Sequence, residues 1–129
     1  MIEQIKSSEI EDFIKENSNT VLLDVRTENE WNSLGKPKAE DLNSKTYFVT
    51  VSHDLSNWQV PDQNFIVNVK KKIDKDKKIL VMCAAGGRSM IAANLLANEG
   101  YTVLNVSDGY SGNSQDPGWK KLNLPIDNS

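Results

Sequence analysis

The sequence predicts one α/β domain built on a mostly parallel sheet of about five strands, with helices on both faces. Three observations carry that prediction. The runs Val21-Leu22-Leu23-Asp24-Val25 and Ile79-Leu80-Val81-Met82 have the near-continuous hydrophobicity of strands buried on both sides. Stretches with helical spacing and capping signals stand between the apolar runs, so strand and helix alternate. The 129 residues contain no long linker, internal repeat or low-complexity block, and suffice for a single core spanning 1–129 without metal or disulfide staples.

Taken in order, Ser7 or Ser8 is placed to cap a short helix. Glu11 would complete a capping box from Ser8, with Ile10, Phe13 and Ile14 on one face and Asn17-Ser18-Asn19 as the stop. The first apolar strand, 21–25, ends in an acid and is followed by Thr27 and Glu30, a second T-x-x-E signal that turns strand into helix. Between residues 35 and 61 the pattern weakens. Tyr47-Phe48-Val49-Thr50-Val51 is β-branched and aromatic and reads as a strand, and 52–61 reads as a loop.

Phe65, Ile66, Val69 and Ile73 give a helix with one apolar face, running into a charged segment, 70–78, that reads as a solvated helix end. After the strand at 79–82 comes the strongest helix, 89–99, with Gly100 as its C-terminal stop. Thr102-Val103-Leu104-Asn105-Val106 forms a further strand. Residues 107–118 are a Gly-, Ser- and Asp-rich loop, and 119–122 a terminal helical turn. In such a domain the site belongs at the C-terminal ends of the strands.

A formal net charge of −3 with 26% charged residues makes no electrostatic case for nucleic acid or an anionic membrane as partner. The first six residues carry an acid and no apolar run of signal-peptide length, and no segment approaches the ~20 apolar residues of a span. The expected location is therefore the cytoplasm, where a free thiol stays reduced. With one cysteine and one histidine, His53, the chain has no internal disulfide and lacks the ligands of a closed Cys/His zinc site, so no metal or other cofactor is expected.

The chemistry concentrates in Cys83-Ala84-Ala85-Gly86-Gly87-Arg88-Ser89. A cysteine at a strand end, in front of a helix N-terminus, faces unpaired backbone N–H groups that favour an anion. Gly86 and Gly87 can take positive φ and bring successive amides around the sulfur, and Arg88 adds a cation. That setting predicts that Cys83 reacts as a thiolate. Its competing reading is a small buried hydrophobe at a strand end, which needs no amide-lined turn. No lysine followed by Ser or Thr follows the glycines, which argues against a nucleotide-binding P-loop. Cysteine phosphatases place arginine six positions after the cysteine. Here Arg88 is five positions on, and the shorter loop suits a smaller guest such as the outer sulfur of a persulfide.

With these residues the chain resembles the single-domain members of the rhodanese-like sulfurtransferase family, whose strand ends in Cys-x-x-Gly-x-Arg-Ser, matched by Cys83, Gly86, Arg88 and Ser89. Asp24-Val25-Arg26 with Glu30-Trp31, Gly100-Tyr101 through Asn105-Val106 with Gly109-Tyr110, and Trp119 with Leu124-Pro125 resemble further family segments, so the likeness covers roughly residues 5 to 127. It implies the rhodanese-like fold and a cycle in which Cys83 takes sulfane sulfur from a small donor such as thiosulfate. A thiol, a protein acceptor or cyanide then removes it. The resemblance also implies that amides from Ala84 to Ser89 hold the persulfide, that Arg88 binds the donor or orders the loop, and that no general base is needed.

Two departures stand out. Ala84-Ala85 replaces the basic or polar residue that follows the cysteine in many thiosulfate-using members, which predicts a weaker charge contact with that donor. Gly35-Lys36-Pro37-Lys38-Ala39 replaces a Gly-His-Ile-Pro-Gly-Ala segment and precedes a longer stretch. Other classes compatible with the loop are a regulatory, redox-sensing or binding module without turnover and, disfavoured by the arginine spacing, a cysteine phosphatase or arsenate reductase.

Around the loop, Asp24 and Arg26 read as support for the strand-to-helix turn, with Arg26 paired to a carboxylate such as Glu30. Trp31 and Trp119 read as core. Trp58, in a loop, is a candidate pocket wall, as is Asp108 at the end of a parallel strand. His53 reads as a loop residue outside the site.

Overall fold

The computed structural model describes residues 1–128. In chain order its elements are β1 (Glu3–Ile5), α1 (Ile10–Glu16), β2 (Thr20–Asp24), α2 (Glu28–Leu34), β3 (Lys36–Pro37), β4 (Thr46–Phe48), α3 (Phe65–Lys70), β5 (Lys78–Met82), α4 (Gly87–Asn98), β6 (Thr102–Val106), α5 (Gly118–Lys121) and β7 (Ile126–Asp127). Short 3-10 turns occupy Ser7–Glu9, Ala39–Leu42 and Leu55–Asn57. Five strands form one sheet in the order β1-β6-β5-β2-β4, every neighbour parallel. β3 and β7 form a separate antiparallel ribbon.

The middles of the central strands β2 and β5, residues 21–23 and 79–82, are apolar because both faces are covered. Leu23 lies beside Val81 in register, and with Val21, Val25, Ile79 and Cys83 these residues face one core, closed by Phe65, Val69 and Ile73 on one side and Ala92, Ala93 and Leu96 of α4 on the other. The alternate residues Leu22, Leu80, Met82, Leu104 and Val106 face a second core with Ile10, Ile14, Tyr110 and Trp119. This is the period-two alternation of a strand, applied to a sheet that has no solvent face.

Strand order fixes the position of the site. After β2 the chain moves to the edge strand β4. After β5 it moves the opposite way, to β6. The adjacent C-terminal ends of β2 and β5 are thus the point where the winding reverses, and a crevice opens there. Cys83 directly follows β5, and Val25 directly follows β2.

Several expectations are corrected. The N-terminal capping box is closed by Glu9, whose carboxylate accepts the Lys6 amide at 2.9 Å, not by Ser8 and Glu11. Ser7 instead donates its hydroxyl to Asp108 across the fold. β1 carries no hydrophobic alternation in the sequence, because only Ile5 of its three residues is buried. The β3/β7 ribbon is two residues long on each side and carries no periodicity. The strand expected at 47–51 forms only over Thr46–Phe48, although Val49 and Val51 still donate to Asp24 and Val25 carbonyls at 3.1 Å each. α3 ends at Lys70, while Ile73 beyond it remains buried. The Thr27 capping box is present, with Glu30 accepting the Thr27 amide at 3.1 Å.

Candidate active site

Cys83 lies at the floor of a cavity of about 240 Å³ walled by Leu55, Trp58, Ala84, Ala85, Gly87 and Arg88. The sulfur is buried yet faces this space. Gly86 has φ +108°, caps α4 and donates its amide to Cys83 Sγ at 3.1 Å. A side chain at Gly86 would strain the backbone and place its Cβ 2.5 Å from the Ser107 carbonyl oxygen. The loop is pinned from behind by the turn after β6: Tyr110 and Ser111 donate to the carbonyls of Cys83 and Ala84 at 2.8 and 2.9 Å. Gly109 fits there because a Cβ would meet both carbonyl oxygens at 2.5 Å. The first N–H groups of a helix have no carbonyl one turn back, and Gly87 and Arg88 of the first turn of α4 line the cavity.

Below the sulfur, a buried polar network runs into β6. Cys83 Sγ lies 3.3 Å from Ser89 Oγ, with the thiol as donor, and the Ser89 hydroxyl donates to Asn105 Oδ1. Asn105 Nδ2 donates in turn to Gln4 Oε1 at 2.8 Å.

Arg88 does not reach over the cavity as a free cation. Its guanidinium makes a bidentate pair with Glu30, at 2.6 and 2.8 Å, which ties the first turn of α4 to α2. Burial pushes the Glu30 carboxyl up, but Arg88, the Thr27 amide and the Thr27 hydroxyl outweigh it and hold it below the ordinary value. The hydrogen bond to Glu30 raises Arg88 further, against its own burial. A depressed folded value means that the pair stabilises above the ordinary carboxylate range and is lost as pH falls through the depressed one. Glu30→Gln, which leaves Arg88 without a counter-ion, is expected to lower unfolding free energy by about 2–3 kcal/mol, somewhat under a fully buried pair. In urea titrations that difference should stay constant above about pH 5 and close in more acidic solution.

Arg26 therefore does not pair with Glu30, as the sequence reading had it. Its partner is Asp24, two residues back, which accepts Nε at 3.1 Å, Nη2 at 2.8 Å and the Arg26 amide at 3.0 Å. The same guanidinium donates to the Gly35 carbonyl at 3.0 Å and stacks 4.0 Å from the Tyr110 ring centroid. This group is fully buried beside the site and does not line the cavity.

Of the two proposed pocket walls, Trp58 lines the cavity and Asp108 does not. Asp108 is buried, accepting the Ser7 amide and hydroxyl at 2.9 Å each and the Gly118 amide at 3.0 Å, so it staples the N-terminus to the loop before α5. His53 pairs with Asp62 at 2.9 Å and is absent from the wall. Trp119 is core and Trp31 stacks edge-on against Phe48 at 5.2 Å. Leu55 was missed: it is a wall residue from an exposed turn, and an apolar residue in a polar loop was its one sequence signal. Asn105 and Gln4 were missed as well, because nothing local links them to Cys83. Among the described residues no cluster of three or more His, Cys, Asp or Glu could hold a metal ion, and no helix is long and apolar enough to cross a membrane.

The profile of the rhodanese-like domain family matches residues 7–116. An uncharacterised protein of Rickettsia prowazekii is 39% identical over 126 residues, 97% of each chain. Among solved structures, an M. tuberculosis protein superposes with a TM-score of 0.84 at 26% identity, over 98% of this chain and 97% of that one. A polysulfide-sulfur transferase homodimer from Wolinella succinogenes shares the fold, with a TM-score of 0.65 at 21% identity over 97% of this chain and 77% of that one.

Proposed function

The chain belongs to the rhodanese-like domain family, and from that premise we propose that it is a sulfurtransferase that carries sulfane sulfur on Cys83. The observation that supports this reading best is the placement of the sulfur, which accepts the Gly86 amide at 3.1 Å at the floor of the cavity. In the first step the Cys83 thiolate attacks the outer sulfur of a donor. A new S–S bond forms, the donor's own bond to that sulfur breaks, and the donor remnant leaves with the electron pair. In the second step an acceptor thiolate or cyanide attacks the outer sulfur of the Cys83 persulfide and returns the Cys83 thiolate. Loop amides offset the negative charge on sulfur in both states. Neither step needs a general base, a metal or another cofactor.

The charge around the cavity bears on the donor. Arg88 is committed to Glu30 and Arg26 to Asp24, while Ala84, Ala85, Leu55 and Trp58 add only apolar surface. A dianion such as thiosulfate meets no unpaired guanidinium here, so a donor of lower charge, an organic persulfide or polysulfide, fits better than thiosulfate. Reduced protein incubated with an alkyl persulfide or with thiosulfate, then read by intact mass, distinguishes the donors. A gain of about 32 daltons, one sulfur, is expected on Cys83 with the persulfide in excess over thiosulfate. No adduct from any donor in the panel would overturn sulfur transfer. A cytoplasmic setting and a thiol acceptor complete the proposal.

A further inference from the structure

We propose that Asn105, held by Gln4, is a positioning residue that controls the state of Cys83 by claiming the single hydrogen of the Ser89 hydroxyl. This rests on Cys83 being the reacting group, and not on what it transfers.

Ser89 is buried and its hydroxyl has one hydrogen. That hydrogen is donated to Asn105 Oδ1, so the Ser89 oxygen presents lone pairs to Cys83 and accepts the thiol hydrogen across 3.3 Å. The orientation of the Asn105 amide follows from its other partners. Nδ2 donates to Gln4 Oε1 at 2.8 Å and lies 3.4 Å from the Gly86 carbonyl oxygen. A flipped amide would set its oxygen against these two acceptors. Gln4 is oriented likewise, with its Nε2 3.1 Å from Met90 Sδ and 3.4 Å from the Ile2 carbonyl oxygen.

When the thiol ionises, its proton leaves to water through the cavity and the charge stays on sulfur. The contact with Ser89 is then favourable only if Ser89 turns its hydrogen from Asn105 to the sulfur. Sulfur and amide oxygen therefore compete for one hydrogen, and Asn105 disfavours the resting thiolate. A persulfide, whose charge sits one bond further out, does not depend on the same hydrogen. Gln4 extends this control to an exposed edge strand, although it is 79 positions from the cysteine in sequence.

The charged groups packed around the network are the Arg88–Glu30 pair from α4 and α2, the buried Asp24–Arg26 pair at the end of β2 and Asp108 in the turn after β6, with Glu3 and Lys6 near Gln4 in sequence. None of them is altered in the test, which follows the rate of Cys83 alkylation by iodoacetamide against pH in the whole chain and uses no sulfur donor. Failure of sulfur transfer and failure of this inference are thus read separately.

Ser89→Ala removes the hydroxyl for which the sulfur and Asn105 compete, and so supplies the reference background. Asn105→Ala should move the half-reaction pH down by roughly 0.5–1 pH unit, three- to tenfold faster alkylation on the acidic limb, because Ser89 is released to the sulfur. In a Ser89→Ala background, Asn105→Ala should have no such effect. If circular dichroism shows Asn105→Ala unfolded, Gln4→Leu reads the same release, with a smaller downward move as Asn105 becomes free to flip. An upward move or none from the folded variant, or an equal move with and without Ser89, would overturn the proposal. A purely structural Asn105 would change stability without this dependence on Ser89.

Discussion

Cys83→Ser is expected to reduce sulfur transfer on the order of a thousandfold or more while leaving the melting curve close to that of the parent chain. The two halves of this result have separate causes. A serine hydroxyl can accept the Gly86 amide in the place of the sulfur and fills nearly the same buried volume, so the loop and α4 should stay in position. Its oxygen, however, remains protonated at neutral pH and cannot carry a sulfane sulfur, so no covalent intermediate forms. A continuous assay of acceptor persulfide, run beside intact mass, checks both halves. Substantial residual transfer by Cys83→Ser would remove Cys83 from the mechanism, and a collapsed melting curve would mean the loop depends on sulfur for its fold.

The second large effect concerns stability. Asp24→Ala is expected to cost about 3–5 kcal/mol, because it leaves the Arg26 guanidinium buried without a counter-ion. For a domain of this size that corresponds to roughly 10–20 °C in melting temperature. The remaining contacts do not compensate: the Gly35 carbonyl takes one hydrogen, the Tyr110 face receives the cation, and Nη1 has no hydrogen-bond partner. Removing both charges in Asp24→Leu/Arg26→Met should recover most of the loss, since apolar residues of similar volume replace buried ion pairs at little or no cost. If the double variant is no more stable than Asp24→Ala, the effect comes from packing and not from the isolated charge.

This pair also shows why part of the site was legible in the sequence and part was not. Cys83, Gly86, Arg88 and Ser89 lie within seven residues, and a strand end, a positive-φ glycine and a helix start are local features with local signals. Asp24 and Arg26 are equally visible as charges at a strand end. Their partners are another matter. From the sequence Glu30 reads as a partner for Arg26, and its pairing with Arg88 instead follows from α2 and α4 meeting across the ends of β2 and β5. Asp108 follows a parallel strand at its C-terminal end, as a pocket residue would, yet its carboxylate turns to the Ser7 amide and hydroxyl and leaves the cavity.

By itself the sequence determined the alternation of elements, the doubly buried strands and the nucleophile in its loop, because each depends on hydrophobic period or backbone conformation over a few residues. Only the tertiary structure decided that Arg88 is neutralised, that Leu55 and Trp58 wall an apolar cavity, and that Gln4 and Asn105 lie behind the sulfur. The physical reason is that hydrogen bonds and ion pairs act between atoms about 3 Å apart, whatever their separation along the chain. Which of several chemically equivalent partners comes that close is set by the order in which the strands assemble.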